Sequence, residues 1–542
     1  MKKTLFFLLF TQLFFSQQYT ISNAERTALV NIYNATSGNE WSQTWDFEKD
    51  PRHWYGIKIQ NGNVIEINLR GNALKGSFPV YFSTFSKLKK LDLSSNQLTG
   101  EISNSVSSLT DLVRLDISNN RLTGDPAAAT AMLINLEELS LGNNQFVFND
   151  VESFLQNFPN LRILDLAHTQ LLAVPQKISG FPKLQSLNLS NNTLSQNFSA
   201  LSTLLQLTEL NLSGTQLIKI PVELSGLPLV TLDVSNNAFA PNYSMVLSNM
   251  SELEWLSLEN NQLTALPREL AQLKKLVHLN LSGNKITGGF DGFSALKNLE
   301  QLYLNHNQIE GNFPAALLQL DKLQMLSLTG NQLTGEIPEN IPQLTFLENN
   351  RFSQQDIRNF MLKEKVMAGF SYSPQRYDEA KAVPAVLGSS ASLPQSLSGN
   401  SYEFSWFKNL DQKTPQTTEN YHISKVEETD YTAYTCEAYY FEKLPKELLE
   451  ISFFREPVTL VKQLGTEEIF RDLIVYPNPT SDYLTIRTTK LDIEKVYIFD
   501  LSGKLLFSSS TKHIDVRHLP SATYIISIKT YEGVKSFKFI KH

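Results

Sequence analysis

The residues that could do chemistry fall into three sets. The first is a row of mostly short polar side chains, each between two aliphatic residues, usually leucines: Asn68, Asp92, Asp116, Ser140, Asp165, Asn188, Asn211, Asp233, Ser257, Asn280, Tyr303 and Ser327. Carboxylates in a row suggest calcium, but calcium needs six to eight oxygens converging on one point. A row spaced at a strand interval converges poorly, so the expectation is a solvated strand face. The second set is aromatic and soft, Trp255, His278, Tyr303, His306 and Met325, with Glu254, Glu259 and Glu300 nearby. Aromatics amid carboxylates and amides suit a neutral sugar chain or a cationic peptide. The third set is catalytic or metal-binding, and it is empty. The eight histidines form no HExxH, and there is no GxSxG elbow or Walker loop. The single cysteine, Cys436, excludes a disulfide framework within the chain and a multi-thiolate metal site. No metal, cofactor or enzymatic activity is expected.

A repeat must position these side chains. The words LKKLDLSSNQL, LVRLDISNNRL, LEELSLGNNQF, LQSLNLSNNTL and LEWLSLENNQL recur, each with a polar residue at a fixed place. That place holds Asn72, Asn96, Asn120, Asn144, Thr169, Asn192, Thr215, Asn237, Asn261, Asn284, Asn307 and Asn331, at spacings of 22 to 25 residues. These are twelve full units, and a shortened thirteenth carries Asn350 and Phe352. Within each unit, leucines alternate with polar residues, as in Leu91, Asp92 and Leu93, which predicts a strand with one buried face. One short strand cannot bury that face alone, so consecutive units must stack in parallel, about 4.8 Å apart. The asparagine falls where the chain turns inward and can bond backbone groups of adjacent turns. Leaving such groups unpaired costs roughly 1–3 kcal/mol each. Thr169 and Thr215 predict a weaker ladder locally.

The open strand face of a stacked solenoid is concave. In the first five units it carries Arg70, Lys89, Lys90, Arg114 and Arg162. In units six to twelve the same positions hold no Lys or Arg, but include Glu209, Asp233, Glu254, Glu259 and Glu300. Trp255 and His278 should be immediate neighbours, with Tyr303 one column across. Neither this face nor the net charge of −7 suits nucleic acid.

These words resemble the leucine-rich-repeat superfamily over residues 63–353. The resemblance implies an α/β solenoid of twelve to thirteen repeats, in residues 61–353, with its parallel sheet on the concave face. Ser22 and Glu25 form a capping box for a helix over residues 24–33. With Trp41, Trp45, Trp54 and Tyr55, read as cap core, they make residues 17–60 resemble the N-terminal cap of secreted repeat proteins. Residues 354–368 are expected to close the other end, through a short helix at 355–363.

Three further segments remain. Lys2 and Lys3 before an apolar run predict a signal peptide over residues 1–16, and no later segment is long and apolar enough to span a bilayer. Residues 369–462, with Trp406, Asp430, Tyr434 and Cys436, resemble an immunoglobulin-like sandwich. The usual partner cysteine is missing, with Leu393 or Gln395 near its place, so Cys436 reads as a small buried core residue. After a linker at 463–470, residues 471–542 predict a small all-β sandwich. Tyr476, Pro477, Asn478, Pro479, Gly503, Lys504 and Lys538 resemble the type A-like C-terminal sorting domain of type IX secretion cargo in Bacteroidota. That resemblance implies recognition by the outer-membrane translocon and a secreted or cell-surface location. The expected function is recognition or adhesion, with a protein or carbohydrate ligand on the concave face. The alternatives are a structural spacer and an exported hydrolase.

Overall fold

Leucine pairs every two dozen residues leave the chain one way to bury them, and the computed structural model shows it. The structure describes residues 20–239, 244–363, 369–399, 401–445, 447–463, 470 and 472–542. The expected signal segment lies outside these. The chain divides into two units, Met1–Tyr372 and Ser373–His542.

In the first unit, thirteen parallel strands pair in repeat order from Asn63–Asn68 to Leu344–Phe346. Leu91, Leu115 and Leu139 are register partners and fully buried. Two strands extend the sheet beyond the repeats. Ile57–Gln60 joins antiparallel at the front, and Gly369–Ser371 joins in parallel at the back. The sequence placed residues 369–371 at the start of the sandwich. Their backbone instead extends the solenoid sheet, pairing with Leu344–Phe346, and Phe370 packs on Phe360 of the capping helix, ring centroids 4.6 Å apart.

The opposite side of each unit is mostly a short 3₁₀ turn, such as Asn104–Ser108 or Gln176–Gly180. A unit this short leaves about one turn there, and longer helices do not fit. Early units add a second small sheet through Lys75–Ser77, Gln97–Glu101, Arg121–Gly124 and Gln145–Phe146.

The ladder runs the length of the repeats and is weaker at the two threonine positions. From Asn96 to Asn331 each ladder asparagine donates Nδ2–H to a carbonyl of the preceding turn at 2.8–3.2 Å. Its Oδ1 accepts from a backbone N–H of that turn, for example Leu74 at 3.0 Å and Leu263 at 3.1 Å. Asn72 ties the first turn to the cap through Gln43, and Asn350 continues the ladder to Leu328 O. A hydroxyl has one proton: Thr169 donates to Leu166 O and Thr215 chiefly to Leu212 O, each within its own turn, with a longer 3.4 Å contact from Thr215 Oγ1 to Asn237 Oδ1. The residue before the ladder position is left-handed, for example Asn119, Asn143 and Gly283. Asn and Gly tolerate that region best, which accounts for the NN and GN words.

Helix Asn23–Ala35 starts at Ser22, whose hydroxyl accepts from Glu25 N–H. Buried Glu25 also accepts from Val64 N–H at 3.0 Å, joining cap to sheet. Trp41, Trp45 and Trp54 are buried and join half-buried Tyr33 and Phe47 in one aromatic cluster. Each indole N–H reaches a backbone carbonyl. Tyr55, expected in that core, is 46% exposed, because only its backbone carbonyl is used, by Trp45. At the far end, helix Gln354–Met361 begins with a Ser353/Asp356 capping box.

In the second unit, Tyr402–Lys408, Ala433–Lys443 and Leu448–Phe454 form an antiparallel sheet in which Trp406 and Cys436 are register partners, both fully buried. Tyr434 OH donates to Asp430 O at 3.2 Å, closing the corner before the strand. Without a disulfide, the Arg455 guanidinium lies 5.9 Å from the Trp406 ring centroid and bonds Pro394 O. Leu393 is fully buried. Burial pushes the Cys436 thiol up to about 11, which leaves it inert at neutral pH.

The C-terminal part has a three-stranded sheet (Ile474–Tyr476, Tyr483–Arg487, His513–Asp515) and a four-stranded one (Leu505–Ser509, Ile493–Phe499, Ala522–Thr530, Gly533–Lys541). Their buried faces meet through Leu484, Ile486, Ile498, Ile526 and Phe539.

Candidate ligand-binding face

Strand alternation sends one side chain in two to the concave face, and register fixes which ones meet. The row of Asp and Asn between the leucines is not the solvated row expected. Asp92 and Asp116 are buried. Each accepts from the backbone N–H two residues on: Ser94 for Asp92 at 3.0 Å, Ser118 for Asp116 at 3.2 Å. Asp165, Asn188, Asn211, Asp233 and Asn280 do the same. The strand ladder skips that N–H, so a short acceptor just upstream is what the bend requires. Among the described residues no group of three His, Cys, Asp or Glu side chains could hold a metal ion.

The basic residues of the early half are partly spoken for. Arg114 lies 3.0 Å from Glu138 and 3.5 Å from both Asp92 and Asp116. Arg162 bonds Gln185 at 3.0 Å and lies 3.6 Å from Glu137. Burial, with the nearby Asp116 charge, pushes the Asp165 carboxyl up to about 6. Asp116 is raised for the same first cause.

The late half holds the aromatic patch. Trp255 and His278 are register partners, with ring centroids 5.0 Å apart and planes 12° from parallel. Tyr303 lies 5.2 Å from His278, and its hydroxyl is 2.9 Å from Met325 Sδ. His278 Nδ1 is 3.0 Å from Gln301 Oε1. Burial holds the imidazole below its ordinary pKa, so the ring is mostly neutral at pH 7. Glu259 accepts from Asn280 and Glu300 from Gln324, which orients both carboxylates. Glu254 is exposed on the strand approach.

Of the residues expected together, Trp255, His278, Tyr303 and Met325 form one stack. His306 does not join it. It occupies the left-handed position before Asn307, with φ 54°, and that turn carries it off the strand face. Its imidazole instead rests against Gly330. Sequence reasoning also missed a hollow of about 280 Å³ beside Trp255, lined by Asn188, Glu209, Asn211, Thr231 and Asp233. The signal was present: Thr231 is a small residue between Glu209 and Trp255 in one column.

Leucine-rich-repeat family models match residues 63–122, 134–194 and 245–286, with further repeat matches at 274–316 and 322–344. The chain is a leucine-rich-repeat protein. A model of the secretion system C-terminal sorting domain matches residues 474–542. This leucine-rich-repeat protein is therefore type IX cargo, exported to the cell surface or beyond. The sorting residues sit on a clamp. Asn478 donates to Lys538 O and accepts from Ile540 N–H, both at 2.9 Å. Gly503 turns at φ 86° under the Asp500 carboxylate, which accepts from Lys504 N–H.

The solenoid is similar to the ectodomain of the Arabidopsis receptor kinase HAESA, solved in complex with an extended IDA peptide hormone ligand. Identity is 25% and the TM-score 0.50, over 66% of this chain and 61% of that one. A Leptospira interrogans leucine-rich-repeat protein matches at 30% identity and TM-score 0.44, over 54% of this chain and 80% of its own. An internalin of Listeria monocytogenes matches at 24% and 0.41, over 51% and 87%. No curated protein sequence matches the chain. No helix among the described residues is long and apolar enough to cross a membrane. Leucine-rich-repeat folds serve mainly as binding scaffolds, with extended concave surfaces for partners.

Proposed function

We propose that this leucine-rich-repeat protein is a non-catalytic recognition or adhesion protein that grips a protein or glycan through units six to twelve of its concave face. The observation that carries the reading is the Trp255–His278–Tyr303–Met325 stack on the half of the face, units six to twelve, that carries no Lys or Arg. Aromatic rings presented on a rigid strand surface lose little conformational entropy on binding and act as anchors. The HAESA ectodomain, of similar fold, was solved with a peptide ligand, which supports a binding role for such a solenoid.

The test is an array of glycans and surface peptides probed with the secreted chain, followed by the double variant Trp255→Ala, Tyr303→Ala. Capture by the parent and a loss of at least tenfold in the variant is the expected result. Equal capture by both would remove the concave patch as the site. No saturable capture by the parent would favour a spacer role.

A further inference from the structure

The hollow beside Trp255 has walls of different chemistry. Glu209, Thr231 and Trp255 are successive register partners, so Glu209 and Trp255 stand two strand spacings apart, roughly 10 Å. Thr231 between them is short and leaves a slot. One face of the Trp255 ring is covered by His278, and the other borders the slot. Among the described residues nothing pairs with the Glu209 carboxylate, in contrast to Glu138, which holds Arg114. Asp233, in the next column, accepts from Ser235 N–H through Oδ1, which fixes its carboxylate.

Resting on the concave-face reading above, we infer that this slot takes the guanidinium or ammonium of a basic side chain on a peptide ligand, between the open face of Trp255 and the Glu209 carboxylate. A flat guanidinium is about as thick as a ring and fits one spacing on the indole face. It gains a cation–π contact on one side and charge-assisted hydrogen bonds on the other. Every other charged residue on units six to twelve of the face is acidic, so no cation of the protein competes for the place. A neutral sugar can hydrogen-bond Glu209 and Asp233 but brings no countercharge to them, whereas a cation gains charge-assisted bonds. His278, mostly neutral at pH 7, does not repel the incoming charge.

The experiment uses the full secreted chain with a tetra-arginine peptide as probe, a tetra-citrulline peptide as its uncharged counterpart, and Trp fluorescence as readout. Saturable quenching by tetra-arginine is expected, with binding at least tenfold weaker for tetra-citrulline. Glu209→Gln should weaken tetra-arginine about tenfold, and Trp255→Leu should remove the quench. Glu269→Gln, on the opposite side of the solenoid, should change neither. Equal affinity in Glu209→Gln and parent would overturn the basic slot, as would equal loss in Glu269→Gln, which would mark general attraction to an acidic protein. The two readings fail separately. If Trp255→Ala abolishes capture of array ligands while Glu209→Gln leaves it intact, the concave site stands and the slot falls. If neither variant changes capture, both fall.

Discussion

Asn96→Thr should destabilise the front of the solenoid by about 3 kcal/mol. Asn96 Oδ1 accepts from Asn72 N–H and Leu74 N–H, both at 3.0 Å, and Nδ2 donates to Leu69 O and Leu93 O, both at 2.9 Å. A threonine here, behaving as Thr169 and Thr215 do, keeps the bond to the carbonyl three residues back and loses the rest. Two N–H groups and one carbonyl are then left inside a stack that water does not enter. At roughly 1–3 kcal/mol for each buried group without a partner, and allowing for relaxation, the low end of the sum is about 3 kcal/mol. Trp41, Trp45 and Trp54 lie at this end of the stack, so their fluorescence reports its unfolding in urea. Hydrogen exchange gives the local readout, with the Leu74 amide losing protection while amides near Leu279 do not. A cost below about 0.5 kcal/mol, or an unchanged Leu74 amide, would refute the ladder as the tie between turns. The reverse change, Thr169→Asn, should add about 1 kcal/mol.

Asp165→Asn tests the buried carboxylate of the early units. The folded pKa of about 6 lies above the ordinary 3.8, so the stability Asp165 contributes is fully present below pH 4 and is lost as pH rises through 6. The amide keeps an oxygen for Ala167 N–H, so the variant should gain about 2 kcal/mol at pH 7.5 and almost nothing at pH 4. Thermal melts at the two pH values check this, and an equal gain at both would remove the charge as the cause. Tyr434→Phe removes one hydrogen bond to Asp430 O and should lower sandwich stability by about 1 kcal/mol in denaturant titration, with the strand register unchanged. Asn478→Ala removes two of the bonds that tie the sorting segment to the last strand, leaving the Thr480 backbone pair, and should destabilise that domain by about 1–2 kcal/mol. Its second readout is the amount of chain exported, expected to fall; full export with a lowered melting temperature would show that the clamp serves stability alone.

The stacked solenoid, the helix start at Ser22 and the position of every ladder residue were legible in the amino-acid order, because periodicity fixes which side chains share a face. The expected capping box forms only by half: Ser22 accepts from Glu25 N–H, while the Glu25 carboxylate takes the Ser22 hydroxyl and Val64 N–H. The Trp255–His278 neighbour pair was legible for the same reason, since parallel register between equal units depends only on counting. Counting could not reveal what the short polar side chains between the leucines do. Asp92 and Asp116 read as solvated, yet they accept the N–H that the strand ladder leaves over, and that role exists only once the chain bends. His306 counted as part of the aromatic patch, but a positive φ one residue before Asn307 turned it away.

Residues 369–371 counted as the start of a sandwich, but pairing with the last repeat strand and packing of Phe370 on Phe360 claimed them for the solenoid. The slot between Glu209 and Trp255 depends on the shortness of Thr231 across two strand spacings, a relation between residues two dozen positions apart. Linear order thus settled which residues repeat and therefore which must pack. Tertiary contact settled which backbone groups were left without partners, and so which side chains were consumed by the fold and which stayed free to bind.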